Sequence, residues 1–77
     1  MRDLLEFLAR ELVSKPDEVS VSEETGPDGV VFELRVAQDD LGRVIGRGGR
    51  TARALRTVIR AASVREGRRA GVEIVGD

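Results

Sequence analysis

Apolar and polar positions along this 77-residue chain fall into six patterned stretches separated by turn residues. Leu4, Leu5, Leu8 and Leu12 share one stripe of a helix over 3–14, with Arg2, Asp3, Glu6, Arg10 and Glu11 elsewhere. Phe7 lies off the centre of that stripe, at the edge of a core. Ser14-Lys15-Pro16-Asp17 ends the helix, because proline disfavours helical backbone at the residue before it. Val19 to Glu23 alternates apolar and polar, the period of a strand. Gly26-Pro27-Asp28-Gly29 is a turn, and Val30 to Ala37 alternates again. Phe32, Leu34 and Val36 then share one face and Val31, Glu33 and Arg35 the other. Two such runs about a turn predict an antiparallel hairpin with its Phe32 face under the helices.

Gln38-Asp39-Asp40 precedes a short helix with Leu41, Val44 and Ile45 as its apolar contacts, and either aspartate can cap its start. Gly46 ends it. After Gly46-Arg47-Gly48-Gly49 a longer helix runs to about Arg65. Its Ala52, Leu55, Val58, Ile59 and Ala62 fall within about 120° of arc, opposite Arg50, Arg53, Arg56 and Arg60. Glu66 to Gly71 is a loop, and Val72 to Val75 is a final strand. The predicted order is α-β-β-α-α-β. That order predicts an α+β two-layer sandwich, a three-stranded sheet with three helices on one face. The length predicts one domain over 1–77.

Composition narrows the function classes. Hydrophobic content of 40% and charged content of 35% suit a globular domain. With neither cysteine nor histidine, disulfides, thiolate or zinc centres and histidine acid–base pairs are excluded. No nucleophile–base pair or carboxylate cluster is evident, so an enzyme is not expected. Nor is a cofactor or a small-molecule substrate. Acids interrupt the N-terminal apolar run, so neither a signal peptide nor a membrane span is read, and the cytoplasm is the default.

The net charge of −1 conceals a polarity. Residues 41–69 hold nine arginines and one acid, Glu66, a net of +8. The other 48 residues hold four basic and thirteen acidic side chains, a net of −9. Local field, more than total charge, steers an anionic ligand.

Four readings compete for the glycines at 46–49. A dinucleotide fingerprint needs a strand before Gly-x-Gly-x-x-Gly; here a helix comes first and the sixth position is Thr51. A P-loop needs a lysine after its last glycine, and the only lysine is Lys15. A purely structural turn between helices needs no ligand. A Gly-x-x-Gly loop between two helices beside a three-stranded sheet is the layout of a KH module, whose loop clamps about four nucleotides of backbone.

Val44-Ile45-Gly46-Arg47-Gly48-Gly49, followed by Arg50-Thr51-Ala52, resembles the KH motif Val-Ile-Gly-Lys-x-Gly, with arginine in the lysine's place. The element order resembles the type II arrangement. The whole chain resembles the small bacterial KhpA family of KH-domain RNA-binding proteins, most specifically from Asp40 to Arg56. The resemblance implies a groove for single-stranded RNA, with the loop and its flanking helices as one wall and the hairpin's second strand as the other. It implies an RNA chaperone or post-transcriptional regulator, and as partners a larger bacterial KH-containing protein or a second copy of the chain. Gly46, Gly48 and Gly49 would form the loop. Arg47 would contact phosphate or ribose, flanked by Arg43 and Arg50, with Arg53 extending the track. Val44 and Ile45 either line a base-accepting groove or belong to the core, with core favoured for Val44. There is no Trp or Tyr, and both phenylalanines read as interior, so aromatic stacking platforms are not expected. The rival reading is a protein-interaction or dimerisation module using the last helix and its ridge of Arg53, Arg56 and Arg60, without nucleic acid.

Overall fold

The computed structural model describes all of residues 1–77. Its elements are α1 (Arg2–Leu12), β1 (Ser20–Gly26), β2 (Gly29–Val36), α2 (Leu41–Ile45), α3 (Arg50–Glu66) and β3 (Ala70–Gly76), with single 3₁₀ turns at Pro16–Glu18, Gln38–Asp40 and Arg47–Gly49. The expected order holds.

The hairpin pairs antiparallel from Ser20↔Arg35 to Gly26↔Gly29, leaving Pro27 and Asp28 as a two-residue turn. β3 lies on the other side of β2 and runs parallel to it. A parallel pair needs a long connection to carry the chain back along the sheet. Here that connection is α2, the glycine loop and α3. It therefore sets α2 and the loop at one end of the sheet, and the hairpin turn and the start of β3 at the other.

The alternation of β2 decides which face is covered. Val30, Phe32, Leu34 and Val36 are buried against Leu5 and Ala9 of α1, Val44 of α2, and Leu55 and Ile59 of α3. Each such large side chain contributes about 1.5–3 kcal/mol by leaving water. The opposite face carries Glu33 and Arg35, and the register sets Ser22 and Glu73 on either side of Glu33. It is polar, with an excess of acids.

Two local expectations are corrected. Phe7 is 60% exposed, and α1 meets the core through Leu5 and Ala9. At 100° per residue Phe7 sits about 200° round the helix from Leu5, so it faces away once Leu5 faces in. The second correction concerns Asp40. It precedes α2, yet its side chain makes no capping bond there. A capping side chain needs extended backbone at that residue, and Asp40 has φ −96°, ψ −6°, because the 3₁₀ turn before it is already coiled. Its carboxylate turns away, to α1.

Candidate nucleic-acid interface

The loop begins where α2 must stop. Gly46 has φ +76° and ψ 170°, and its N–H donates to Gly42 O at 2.8 Å. A Cβ on Gly46 would lie 2.3 Å from Thr51 Oγ1 and 2.9 Å from Thr51 N, so only glycine lets the end of α2 close against the start of α3. Arg47 to Gly49 make one 3₁₀ turn, with Gly48 at φ +64° and Gly49 at φ +79°. At these two the backbone conformation asks for glycine, yet a Cβ at either would meet nothing within 4 Å. The outer side of the loop is open. Arg47 and Gly48 are exposed, Gly46 and Gly49 half-buried.

Behind the loop stands α3, 17 residues long, with no side chain capping its start. The positive end of its dipole therefore points at the loop without a counter-charge from the chain. At the other end Gly67, with φ +68°, closes α3, and the Arg68 N–H returns to Ser63 O at 3.0 Å.

The predicted side chains do not all behave alike. Arg47 and Arg50 make no ion pair and no hydrogen bond within the molecule and stand out beside the loop. Arg53 folds back, and its Nη2 donates to Gly48 O at 2.9 Å, bracing the loop from the first turns of α3. Arg43 is drawn aside, with Nη1 3.3 Å from Asp40 Oδ1 and a side chain still 55% exposed. Val44 is wholly buried, while Ile45 is 38% exposed at the end of α2, free to meet a ligand. Arg56 leaves the expected ridge and donates from Nε to Val72 O of β3 at 3.3 Å.

The groove wall differs from expectation. β2 is the middle strand, paired on both edges and covered by the helices, so it cannot border an open groove. The strand beside α2 and α3 with a free edge is β3.

Asp40 is a component that the sequence reading gave another task. It is fully buried, and its carboxylate accepts from Ser14 N (2.9 Å), Ser14 Oγ (2.7 Å), Lys15 N (3.0 Å) and Arg43 Nη1 (3.3 Å). The Ser14 N–H above all, then the Ser14 hydroxyl, the Lys15 N–H and the Arg43 charge, hold its pKa below the usual carboxylate value against the opposing effect of burial. This knot ties the chain leaving α1 to the start of α2, five residues before the loop. The sequence carries no signal for it, because Ser14 and Lys15, which supply three of the four bonds, lie more than twenty positions from Asp40.

Charge is partitioned just as sharply. Outside residues 41–69, all four cationic side chains are ion-paired: Arg2 and Arg10 with Glu6, Lys15 with Asp39, Arg35 with Glu33 and Asp77. Within 41–69, Arg43 alone among the nine arginines has a carboxylate partner.

A short helix and a long one joined by a glycine loop over a three-stranded sheet, with a rim of unpaired guanidiniums, define a KH domain. The family described as KhpA/KhpB, KH domain, matches residues 2–74. The chain is 55% identical over 75 residues to the RNA-binding protein KhpA of Clostridium acetobutylicum, covering 97% of this chain and all of that protein. It is 44% identical to the RNA-binding protein KhpA of Clostridium perfringens over the same shares. With its counterpart in Aquifex aeolicus it shares 47% identity, over 97% of this chain and 95% of that one. This chain therefore belongs to the KhpA/KhpB KH-domain family. No helix in it is long and apolar enough to cross a membrane.

Proposed function

We propose that this protein binds single-stranded RNA, without catalysis, through the Gly46–Gly49 loop, as one KH domain over 1–77. The observation that carries the reading is the open loop surrounded by guanidiniums that the molecule's own acids leave unpaired. The relatives' name, RNA-binding protein, supports it. Main-chain N–H groups of the loop and the start of α3 approach the sugar–phosphate track, which the positive-φ glycines allow. Arg47 and Arg50 hold phosphates, Arg53 stiffens the loop and lends its remaining donors, and Arg43 contributes from its exposed side. Ile45 offers an aliphatic seat for a base, with β3 as the opposite wall. No Trp or Tyr is present, and Phe7 lies on α1, away from the loop, so bases rest on aliphatic carbon. Binding is then weak, salt-sensitive and loose in sequence preference. An RNA chaperone or post-transcriptional regulator in the cytoplasm fits such a binder.

Titration with short single-stranded oligoribonucleotides tests this. Affinity in the micromolar range that falls with salt supports it; nanomolar, salt-independent, sequence-stringent binding sinks it.

A protein partner is the second reading, and it coexists with the first. Val58 and Val64 both stand exposed on α3, about 120° apart around the helix. They favour a larger KH-containing bacterial protein, or a second copy, docking on that helix while the loop stays free. The family description, which joins KhpA and KhpB, is in keeping with this. Capture of the partner before and after nuclease treatment separates direct docking from tethering by RNA.

A further inference from the structure

A cleft of about 980 Å³ lies at the far end of α3 from the glycine loop. The hairpin turn forms one side, and the end of α3 with the Gly67–Gly71 segment forms the other. It is a built feature: the Val30 N–H donates to Arg69 O at 2.9 Å, and a Cβ on Gly29 would lie 2.3 Å from that same oxygen, so the segment is seated closely on the hairpin. Arg60, Arg68 and Arg69 line the cleft, and Val64, 76% exposed, and Val31 add aliphatic surface. Glu24 and Asp28 also line it, on the hairpin side, yet none of the three arginines pairs with either. Three exposed cations thus share the cleft with two acids and form no ion pair with them, which leaves their field for an external anion.

Position gives that anion its identity. α3 spans about 25 Å between loop and cleft. Between them, Arg53 at the loop, Arg56 over β3 and Arg60 at the cleft succeed one another along α3 at helical spacing. A cationic group thus recurs at each stage from one end to the other, although Arg53 and Arg56 each also donate to a backbone carbonyl. A compact anion would occupy one end; a polyanionic strand would follow the whole line. Resting on the proposed function of the loop, we propose that this cleft is a second RNA subsite. It takes the phosphates of nucleotides beyond the roughly four that a KH loop clamps, with Arg60, Arg68 and Arg69 as its contacts and the valines as a seat for a base. The footprint on RNA is then set by the length of α3 and exceeds that of the loop.

The test compares oligoribonucleotides of about four and about twelve nucleotides. The parent protein binds the longer one more than about tenfold tighter at low salt, with a steeper logarithmic salt dependence. Arg68→Glu with Arg69→Glu removes most of that advantage, lowers the slope for the long oligomer by about 1.4, and leaves the short oligomer's affinity unchanged. Should the charge reversal disturb folding, as circular dichroism would reveal, Arg68→Gln with Arg69→Gln gives the same loss in smaller measure. A photoreactive uridine walked along the long oligomer crosslinks to residues 60–71 from one end only. Equal affinity for both lengths, or an unchanged long-oligomer slope in the variants, or crosslinks confined to residues 41–58, overturns the proposal. Loss of a protein partner without any effect on RNA does so too, in favour of protein docking. Arg47→Asp with Gly48→Asp separates the two readings: if it spares the short oligomer, the loop reading fails; if it abolishes short-oligomer binding while the Arg68 and Arg69 variants bind the long one normally, only the cleft proposal fails.

Discussion

The acidic part of the chain and the stretch from 41 to 69 treat their cations in opposite ways. Arg2, Arg10, Lys15 and Arg35 each lie against a carboxylate. Around the glycine loop and along α3, guanidiniums stand without one, Arg43 excepted. Exposed pairs of the first kind add little stability, but they make those surfaces electrostatically quiet. The second kind costs self-repulsion within one helix, and only Arg53 and Arg56 offset it with a hydrogen bond inside the molecule. The difference teaches where the fold leaves its cations to anions from outside, which is what the proposed RNA site requires.

The largest effect should come from reversing charge in the open loop. Arg47→Asp with Gly48→Asp removes measurable binding of single-stranded oligomers, while circular dichroism stays unchanged and stability falls by about 1–2 kcal/mol from aspartate at positive φ. Retained binding would mean that the unpaired cations serve something else. Next, the loop's own glycines divide. Gly46→Ala should cost about 2–3 kcal/mol, because positive φ is compounded by collision with Thr51. Gly48→Ala, with open space around it, should cost about 1 kcal/mol. Urea denaturation of the two variants checks the order. A smaller change follows from the cations one at a time. Arg50→Ala lowers the salt-dependence slope for a short oligomer by about 0.7, whereas Arg35→Ala leaves the slope as it was. Equal slopes in the two variants would erase the distinction between quiet and unpaired charge.

The mildest test is one of pH. Asp40 has a folded-state pKa below its unfolded value, so its ionised form is favoured by folding. The stabilisation is complete above the ordinary carboxylate pKa and is lost as pH falls through the lower, folded one. Asp40→Asn should therefore be less stable than the parent at neutral pH, and the two denaturation curves should converge in strong acid.

Much of this fold was legible in residue order. The alternation of Val30 to Val36 gave the hairpin and its buried face, because a strand's period of two leaves little choice of side. Gly46 to Gly49 gave the loop, since three positive-φ residues in four can hardly be anything but glycines. The direction of β3 was not read from its four apolar residues, although a helical connection of that length is what a parallel partner requires. At the site, charge clustering identified the arginines but could not say which would turn inward. Arg53 reaches a carbonyl five positions back and Arg56 one on another element, and both contacts depend on the packing of α3 against its neighbours. The Asp40 knot was invisible for the same reason: Asp before a short helix has a local use, and a tertiary one displaced it.

Two of the contacts already described bear on the protein's behaviour at high concentration. The outer strands of a small open sheet are natural templates for stacking with other copies. Arg2 Nε donates to the Val21 carbonyl of β1, and Arg56 Nε to the Val72 carbonyl of β3. Each margin thus has one acceptor engaged and a cation parked over it, so fibril-like growth would begin by expelling an arginine from both ends of the template.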